Sequence, residues 1–229
     1  ESLDFMDYDS IKDYLVVQVI NTKANQRMLR EVPHKDMEDL SAICRIEFSM
    51  QDSEGNGSIK VTHEMIRQWK VDFEEVYQKA TDNSVCNKQP VLESMESIMM
   101  EIMGMPSERK NLLQLESGEE FPKEGMYVLS NPMRLDGASV LAYPNLQEQL
   151  ESVFPQGCYI LPSSLHELII VPKDIGMSPK EMEEMVREIN QKEVAREEVL
   201  SDRVYEFDKE TKKLCQISES VERGKDRER

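Results

Sequence analysis

The chain has 229 residues and a formal net charge of −17 at neutral pH, so it can bury a substantial core as one large domain or two small ones. Nucleic-acid phosphates and anionic membrane surfaces are bound through Lys and Arg, and the acidic charge therefore argues against direct nucleic-acid binding and against membrane-surface binding. No apolar run approaches the roughly 20 residues of a membrane-spanning helix. These properties predict a cytoplasmic protein, and the start at Glu1 instead of methionine is compatible with a removed leader.

The N-terminal half predicts a mixture of strands and helices. Apolar and polar side chains alternate over residues 41–50, which is typical of a half-buried strand, and a turn at 54–57 leads to its hairpin partner. Thr62 and Asp72 are each placed to cap a helix. In chain order, the predicted elements are a strand or short buried helix at 14–20, a helical turn at 25–30, hairpin strands at 41–50 and 58–61, and three helices that begin near Thr62, Asp72 and Pro90.

The third of these helices is rich in methionine. A methionine stripe is compatible with a plastic binding groove, but such a stripe more often belongs to a helix that packs into the core, which is the interpretation we favour. The methionines of this helix are Met95, Met99, Met100, Met103 and Met105. Leu92 and Ile102 lie on the same side of the helix as Met95, Met99 and Met103.

The C-terminal half predicts antiparallel hairpins packed with helices, with a strand-strand-helix unit given twice. The second helix is marked best, because Ser178, Pro179 and Glu181 form a capping box with proline at the first helical position. The predicted elements are strands at 126–130 and 138–143, a helix that opens at Asn145, strands at 158–161 and 168–171, the helix after Ser178, and a terminal hairpin of 203–207 with 213–217.

These elements predict the α+β class and a division of the chain. The apolar periodicity stops at 104–125, where Gly, Pro and Ser residues recur, and this suggests a linker between two lobes. We expect an N-terminal lobe at 1–104, a linker or loop at 105–125, a C-terminal core at 126–218 and a frayed tail at 219–229. One continuous domain is the alternative.

The cysteines and histidines predict neither a cofactor nor a metal. The cysteines are far apart and show no CxxC spacing, so free thiols in a reducing compartment are expected. His166 and Glu167 do not begin an HExxH zinc motif, because position 170 is Ile. The four cysteines are Cys44, Cys86, Cys158 and Cys215.

The connection between the third and fourth strands holds the candidate catalytic residues. Ser163 or Ser164 as nucleophile, His166 as base and Glu167 as orienting carboxylate would provide the parts of an acyl-transfer site. However, triad members normally come from separate elements, and the chain has no GxSxG motif. We therefore favour a tight turn in which His166 packs or caps a backbone group.

The loop at 131–137 holds the candidate ligand-binding residues, Asn131 and Arg134. A planar guanidinium suits a carboxylate or phosphate ligand, whereas a salt bridge to one of the many acids is the more common role. If 138–143 is a strand and the next helix spans the sheet, the two loops lie at opposite ends of the sheet. That arrangement would prevent Arg134 and His166 from forming a joint site.

Seven segments along the chain carry a resemblance: Asp39-Leu40, Trp69, ATDN at 80–83, Tyr143-Pro144, YILPSSLHE at 159–167, MVREIN at 185–190 and EVLSDRVY at 198–205. They resemble an uncharacterised bacterial family, a "domain of unknown function" family of anaerobic Gram-positive gut bacteria. The resemblance extends over nearly the whole chain and implies a cytoplasmic bacterial protein, without an activity, a substrate or a catalytic residue.

Three functions are compatible with the sequence. The favoured hypothesis is a non-catalytic binding or regulatory module, because no strong catalytic or cofactor motif accompanies a well-specified fold. The alternatives are a hydrolase that uses Ser163 or Ser164 with His166, and an acidic mimic of nucleic acid that blocks a DNA-binding protein. A protein partner is compatible with the first and third hypotheses, and the sequence specifies no oligomeric state.

Overall fold

The computed structural model describes residues 3–49, 56–116, 121 and 125–217. The chain divides into two compact units, here called the N-terminal unit (Glu1–Gln89 with Ser139–Tyr143) and the C-terminal unit (Pro90–Ala138 with Pro144–Arg229). Parts of the predicted hairpin turn at 54–57 and linker at 105–125, and the whole predicted tail at 219–229, lie outside the described residues. The predicted lobe boundary at 104–105 stays a prediction.

The N-terminal unit is built on an antiparallel sheet. Its long strand pairs with one strand along one side and with two short strands along the other, which confirms the strand predicted at 41–50 over its described residues, together with its hairpin partner. Thr62 caps its helix as predicted, since Oγ1 accepts a hydrogen bond from the Met65 amide at 3.2 Å. The elements are α1 (Tyr8–Ile11), β1 (Leu15–Asn21), α2 (Gln26–Leu29), β2 (His34–Met37), β3 (Leu40–Ser49), β4 (Asn56–Lys60), α3 (His63–Trp69) and α4 (Phe73–Asn87).

The edge of β1 is closed by side-chain hydroxyl groups. The amide of Val17 donates to Ser84 Oγ of α4 at 3.0 Å, and the amide of Val19 donates to Ser139 Oγ at 3.3 Å. Tyr143 lies beside them and its hydroxyl donates to the Lys88 carbonyl at 3.0 Å. Buried backbone amides need such partners, and β1 therefore ends the sheet without an open row of donors.

The segment that carries Ser139 corrects a prediction. Residues 138–143 were expected to form a strand, but Gly137–Ala142 is a 3-10 helix. The expectation relied on an apolar run, and burial of Val140 and Leu141 satisfies that run without strand pairing. Of the two predicted strand-strand-helix units, the second is present at 158–192. The first has a 3-10 helix where its second strand was predicted.

The C-terminal unit is a six-stranded sheet in which every neighbouring pair is antiparallel. Together with the helices, this confirms the predicted α+β class and the terminal hairpin. The elements are β5 (Val91–Ser94), α5 (Met95–Ile102), β6 (Tyr127–Ser130), α6 (Leu146–Val153), β7 (Cys158–Leu161), β8 (Leu168–Pro172), α7 (Pro179–Lys192), β9 (Tyr205–Phe207) and β10 (Leu214–Gln216), and the strand order is β10-β9-β7-β8-β6-β5.

Helix α7 packs on one face of this sheet. Met182 and Val186 of the helix are fully buried in one cluster with Leu161, Ile169 and Val171 of the sheet. The predicted capping box at Ser178 and Glu181 is formed, with both of its hydrogen bonds present. Two aromatic rings pack together on the opposite face. The ring centroids of Tyr127 and Phe154 are 5.1 Å apart.

The methionine-rich helix differs from its prediction in two respects. Residues 91–94 form the edge strand β5, and α5 begins only at Met95, with Ser94 as its N-cap. Met99, Ile102 and Met103 are exposed, so the interpretation of this stripe as core was wrong. Met95, at the start of the helix, packs against the core cluster beneath α7.

Candidate functional site

The two polar loops that carry every candidate site residue lie next to each other. Strands β6 and β8 pair antiparallel with Leu129 opposite Leu168, so the end of β6 lies beside the start of β8. The loop at 131–137 leaves β6 at this point, and the loop at 162–167 enters β8 there. The prediction that the loops lie at opposite ends of the sheet was wrong, because it required a strand at 138–143.

Three hydrogen bonds join the two loops. Ser130 Oγ donates to the His166 carbonyl at 2.7 Å, the Ala138 amide donates to the Leu165 carbonyl at 3.0 Å, and the Asp136 amide donates to His166 Nδ1 at 3.1 Å. Residues 198–201 hold the second loop from its other side, through backbone bonds such as the one from the Leu165 amide to the Glu198 carbonyl at 2.8 Å. Both loops are therefore held in place by hydrogen bonds that involve backbone atoms on at least one side.

A cluster of four charged side chains lies where the loops meet β5, and we call it the Glu93 cluster: Glu93, Arg109, Arg134 and Glu167. The Glu93 side chain is buried, with 10% of its surface exposed. It accepts from Arg109 Nε and Nη2 at 2.5 and 2.7 Å, and from Arg134 Nη2 at 2.5 Å. A buried carboxylate is stable only when it is paired in this way, and bidentate guanidinium contacts are the strongest pairing available.

Arg134 reaches this cluster from a constrained loop. Its backbone has a φ of +52°, a left-handed conformation that residues other than glycine adopt rarely. Asn131 supports the loop, because its Nδ2 donates to the Leu135 carbonyl at 2.8 Å and its Oδ1 accepts from the Met133 amide at 3.0 Å. A carboxylate or phosphate ligand at Arg134 would thus have to displace Glu93 from the guanidinium.

The serine and histidine side chains are engaged with the backbone. Ser164 Oγ accepts from the amides of His166 and Glu167 at 3.2 and 3.1 Å, which is a hydroxyl-stabilised turn. His166 Nδ1 accepts the Asp136 amide, so the neutral ring carries its proton on Nε2, which faces Glu198 Oε1 at 3.3 Å. Ser163 is buried, and its carbonyl accepts from the Leu200 amide at 3.0 Å. This geometry fits a structural turn better than a nucleophile and its base.

The Glu167 carboxyl lies close to a second carboxylate. Burial, and next the negative charge of Glu93, raise the pKa of Glu167 above its ordinary value. The guanidinium of Arg134 is 3.4 Å from Glu167 Oε1, but its charge is already shared with Glu93. The charged form of Glu167 therefore costs stability in the folded protein.

We expect Glu167→Gln to stabilise the protein at pH 7, by less than about 1 kcal/mol because the side chain is partly exposed. A carboxyl whose pKa is raised by folding binds its proton more tightly in the folded state, so stability falls as the pH rises through the folded pKa. The gain should disappear below the ordinary pKa of glutamate, where the carboxyl is neutral in both states. Urea unfolding of both proteins at several pH values measures the difference, and a gain that does not change with pH would contradict the assignment.

The comparison with known proteins identifies a family. The model of a family of unknown function, DUF5688, matches residues 1–209. The chain belongs to DUF5688. No curated protein and no solved structure matches the chain. Membership of DUF5688 confirms the predicted resemblance to a family of unknown function, and it assigns no activity to any residue.

Two further findings concern metals and membranes. Within the described ranges, no group of three or more His, Cys, Asp or Glu side chains is arranged to hold a metal ion. No helix among the described residues is both long enough and apolar enough to cross a bilayer.

Sequence reasoning found the loops but missed the carboxylate between them. Glu93 was assigned to the helix after Pro90, and Arg109 to the linker or loop at 105–125. The available signal was the short segment Val91–Ser94, in which a glutamate follows two β-compatible apolar residues. An acid in a buried strand requires a cationic partner, so this segment predicts an arginine or lysine side chain beside Glu93.

Proposed function

We propose that the chain is a non-catalytic binding module that recognises another protein. The proposed contact area, which we call the methionine surface, consists of exposed apolar side chains from two segments of the C-terminal unit. These are Met99, Ile102, Met103 and Met105 from α5 and the residues after it, and Met133 and Leu135 from the loop at 131–137.

The observation that carries this proposal is the exposure of the α5 stripe. Ile102 is 80% exposed and Met103 is 69% exposed, and with Met99 they occupy positions i, i+3 and i+4 of one helical face. Burial of apolar area is favourable by about 25 cal/mol per Å², so a partner that covers this face gains free energy. Methionine side chains adapt to different shapes, which suits them to a binding surface.

The Glu93 cluster connects the two segments. Arg134 lies between Met133 and Leu135 in the chain and binds Glu93, which directly precedes the N-cap of α5. Arg109 binds Glu93 and also Glu101 in the last turn of α5, at 2.8 Å. One carboxylate thus positions both segments before a partner arrives, which reduces the entropy that binding must overcome.

The charges beside the methionine surface indicate the kind of partner. Glu96, Glu101 and Glu108 are exposed on or after α5, where Glu101 is paired with Arg109 and Glu108 with Lys110. The chain as a whole carries a charge of −17, and this excess of negative charge favours a partner with cationic residues. We therefore propose an amphipathic segment in which Lys and Arg flank an apolar face.

A labelled peptide tests this proposal. The probe is a synthetic amphipathic helix of Leu and Lys, with fluorescence anisotropy as the readout. We expect the double variant Ile102→Ser/Met103→Ser to bind this peptide at least about tenfold more weakly, because apolar contact is lost without a change in charge. Met6→Ser is the matched control, since Met6 is 58% exposed but belongs to the N-terminal unit, and it should leave the affinity unchanged.

A scrambled peptide of the same composition separates this recognition from general charge attraction. It keeps every lysine but has no continuous apolar face, so it should bind weakly to the wild type and equally weakly to the double variant. Equal affinity of wild type and double variant for the amphipathic peptide would refute the proposed surface.

Neither alternative gains a specific observation in its favour. The hydrolase hypothesis needs a serine hydroxyl at a histidine nitrogen, whereas Ser164 and His166 bond to backbone amides. The mimic hypothesis needs faces of a single sign, whereas acids alternate with cations in ion pairs. Examples are Lys12 with Asp9, Lys35 with Glu74, Lys88 with Glu47 and Lys173 with Glu206. The cytoplasmic location stays a prediction.

A further inference from the structure

A cavity of about 780 Å³ lies in the C-terminal unit, and none of its lining residues belongs to the methionine surface. Its walls come from α6 and the residues after it, from the start of β7, and from β9 and the turn after it. The lining residues include Gln147, Leu150, Glu151, Phe154, Phe207 and Asp208. A volume of this size falls within the range of about 300–1,000 Å³ that small-molecule sites occupy.

We infer that this cavity binds an organic cation, an amine or guanidine that carries an apolar body. The inference rests on three properties of the lining, namely its apolar wall, its excess of acidic groups and a hydrogen-bond acceptor that the protein leaves unsatisfied.

The apolar wall is formed by Leu150, Phe154 and Phe207. A smaller recess of about 320 Å³ shares Phe154, Pro155 and Gly157 with the cavity and adds the rings of Phe121 and Tyr127. These surfaces provide contact for an aliphatic or aromatic body. Aromatic faces also attract a neighbouring cation through their negative π-electron density.

The charged lining is acidic overall. Four acids, Glu151, Glu206, Asp208 and Glu210, face two lysines, Lys173 and Lys209. Lys173 is bonded to Glu206 and lies over the Tyr159 ring at 5.1 Å, so these two charges offset each other and Glu151, Asp208 and Glu210 still outnumber Lys209. An anionic ligand would meet repulsion in this cavity, and a cation would be attracted.

The unsatisfied acceptor is the side-chain oxygen of Gln147. Nε2 of this amide donates to Glu151 Oε1 at 2.8 Å and to the Asp208 carbonyl at 3.5 Å. Both partners accept only, so the amide nitrogen must face them and the oxygen must point elsewhere. Oε1 is buried and has no hydrogen-bond partner within the described part of the chain. Gln147 lines the cavity, so a ligand N–H group that takes the place of Nε2 at Glu151 would let the amide turn Oε1 toward it, an acceptor that a neutral apolar molecule cannot use.

The thiol in the lining does not suggest covalent chemistry. Burial raises the pKa of Cys158 to about 12, so the group stays a neutral thiol near pH 7 and is a weak nucleophile. The cavity is therefore suited to reversible binding and not to covalent chemistry at Cys158.

Calorimetric titration with three matched probes tests this inference. The probes are 2-phenylethylamine, its neutral analogue 2-phenylethanol and the anion 3-phenylpropionate. We expect the amine to bind, the alcohol to bind at least about tenfold more weakly, and the anion not to bind. Absence of measurable amine binding, or equal binding of amine and alcohol, would overturn the inference.

A pair of variants on one helix locates the site. Glu151→Gln removes the carboxylate in the cavity but keeps an oxygen that can accept from Gln147, and it should weaken amine binding at least about tenfold. Glu148→Gln makes the same change in charge at an exposed glutamate that does not line the cavity and lies 3.5 Å from Lys212. This control should bind the amine as the wild type does. Equal weakening in both variants would show that only the overall charge attracts the amine, and would overturn the site.

Discussion

Replacement of Glu93 by alanine is expected to lower the free energy of unfolding by about 3–5 kcal/mol. The side chain is buried and accepts three hydrogen bonds from two guanidinium groups. Removal of the carboxylate leaves Arg109 and Arg134 partly desolvated and close together, and only Glu101 at Arg109 and Glu167 at Arg134 would then offset their repulsion. The two segments of the methionine surface would also lose their common anchor. Urea unfolding followed by circular dichroism measures the change.

Glu101→Ala is the control for this experiment. Glu101 binds the same Arg109 at 2.8 Å, but its side chain is 55% exposed, so its removal should cost less than about 1 kcal/mol. The comparison separates burial of the partner from the loss of one arginine contact. A Glu93→Ala protein that is no less stable than Glu101→Ala would exclude the Glu93 cluster as the centre of this region.

Substitution of Gly137 by alanine should also be severe, with an expected loss of about 3 kcal/mol or more. An added Cβ would lie 2.0 Å from Ser130 Oγ and 2.3 Å from the His166 carbonyl oxygen. The serine can rotate, but the carbonyl belongs to the opposing loop and cannot move alone. The loops at 131–137 and 162–167 would have to separate, and their three mutual hydrogen bonds would weaken.

Gly104→Ala is the matched glycine control. Gly104 has a φ of +70° and no atom within 4 Å of an added Cβ, so alanine there meets only the backbone penalty of about 1–2 kcal/mol. Thermal and urea unfolding of both variants give the comparison. Because Met133 and Leu135 lie on the displaced loop, Gly137→Ala should also bind the amphipathic peptide more weakly than the wild type does. Similar stability of the two variants would argue against close contact between the loops.

Local signals in the sequence predicted a good part of the fold. The alternating strand at 41–49, the cap at Thr62 and the capping box at Ser178 depend on residues within a few positions of each other, and all three are present. The apolar run at 138–143 was misassigned because burial, and not strand pairing, explains its composition. Composition alone cannot distinguish the two explanations.

The candidate site was predicted only in its parts. Polar loop residues drew attention to Arg134, His166 and Glu167, but their proximity depends on the pairing of β6 with β8. Glu93 and Arg134 are 41 residues apart, and no local pattern connects them. The stripe of α5 shows the same limit, since its periodicity predicts one apolar face and does not say whether that face is covered.

The hydrogen bond from Val19 of β1 to Ser139 can form only late in synthesis of the chain. The edge of this first strand is completed by a residue that the ribosome adds 120 positions after Val19. When Gln89 has been synthesised, the sheet of the N-terminal unit still has an amide without its hydroxyl partner, and strand edges of this kind pair readily with other chains. The edge of β1 therefore stays open after α4 is complete, until residues 139–143 have been synthesised and have left the ribosome.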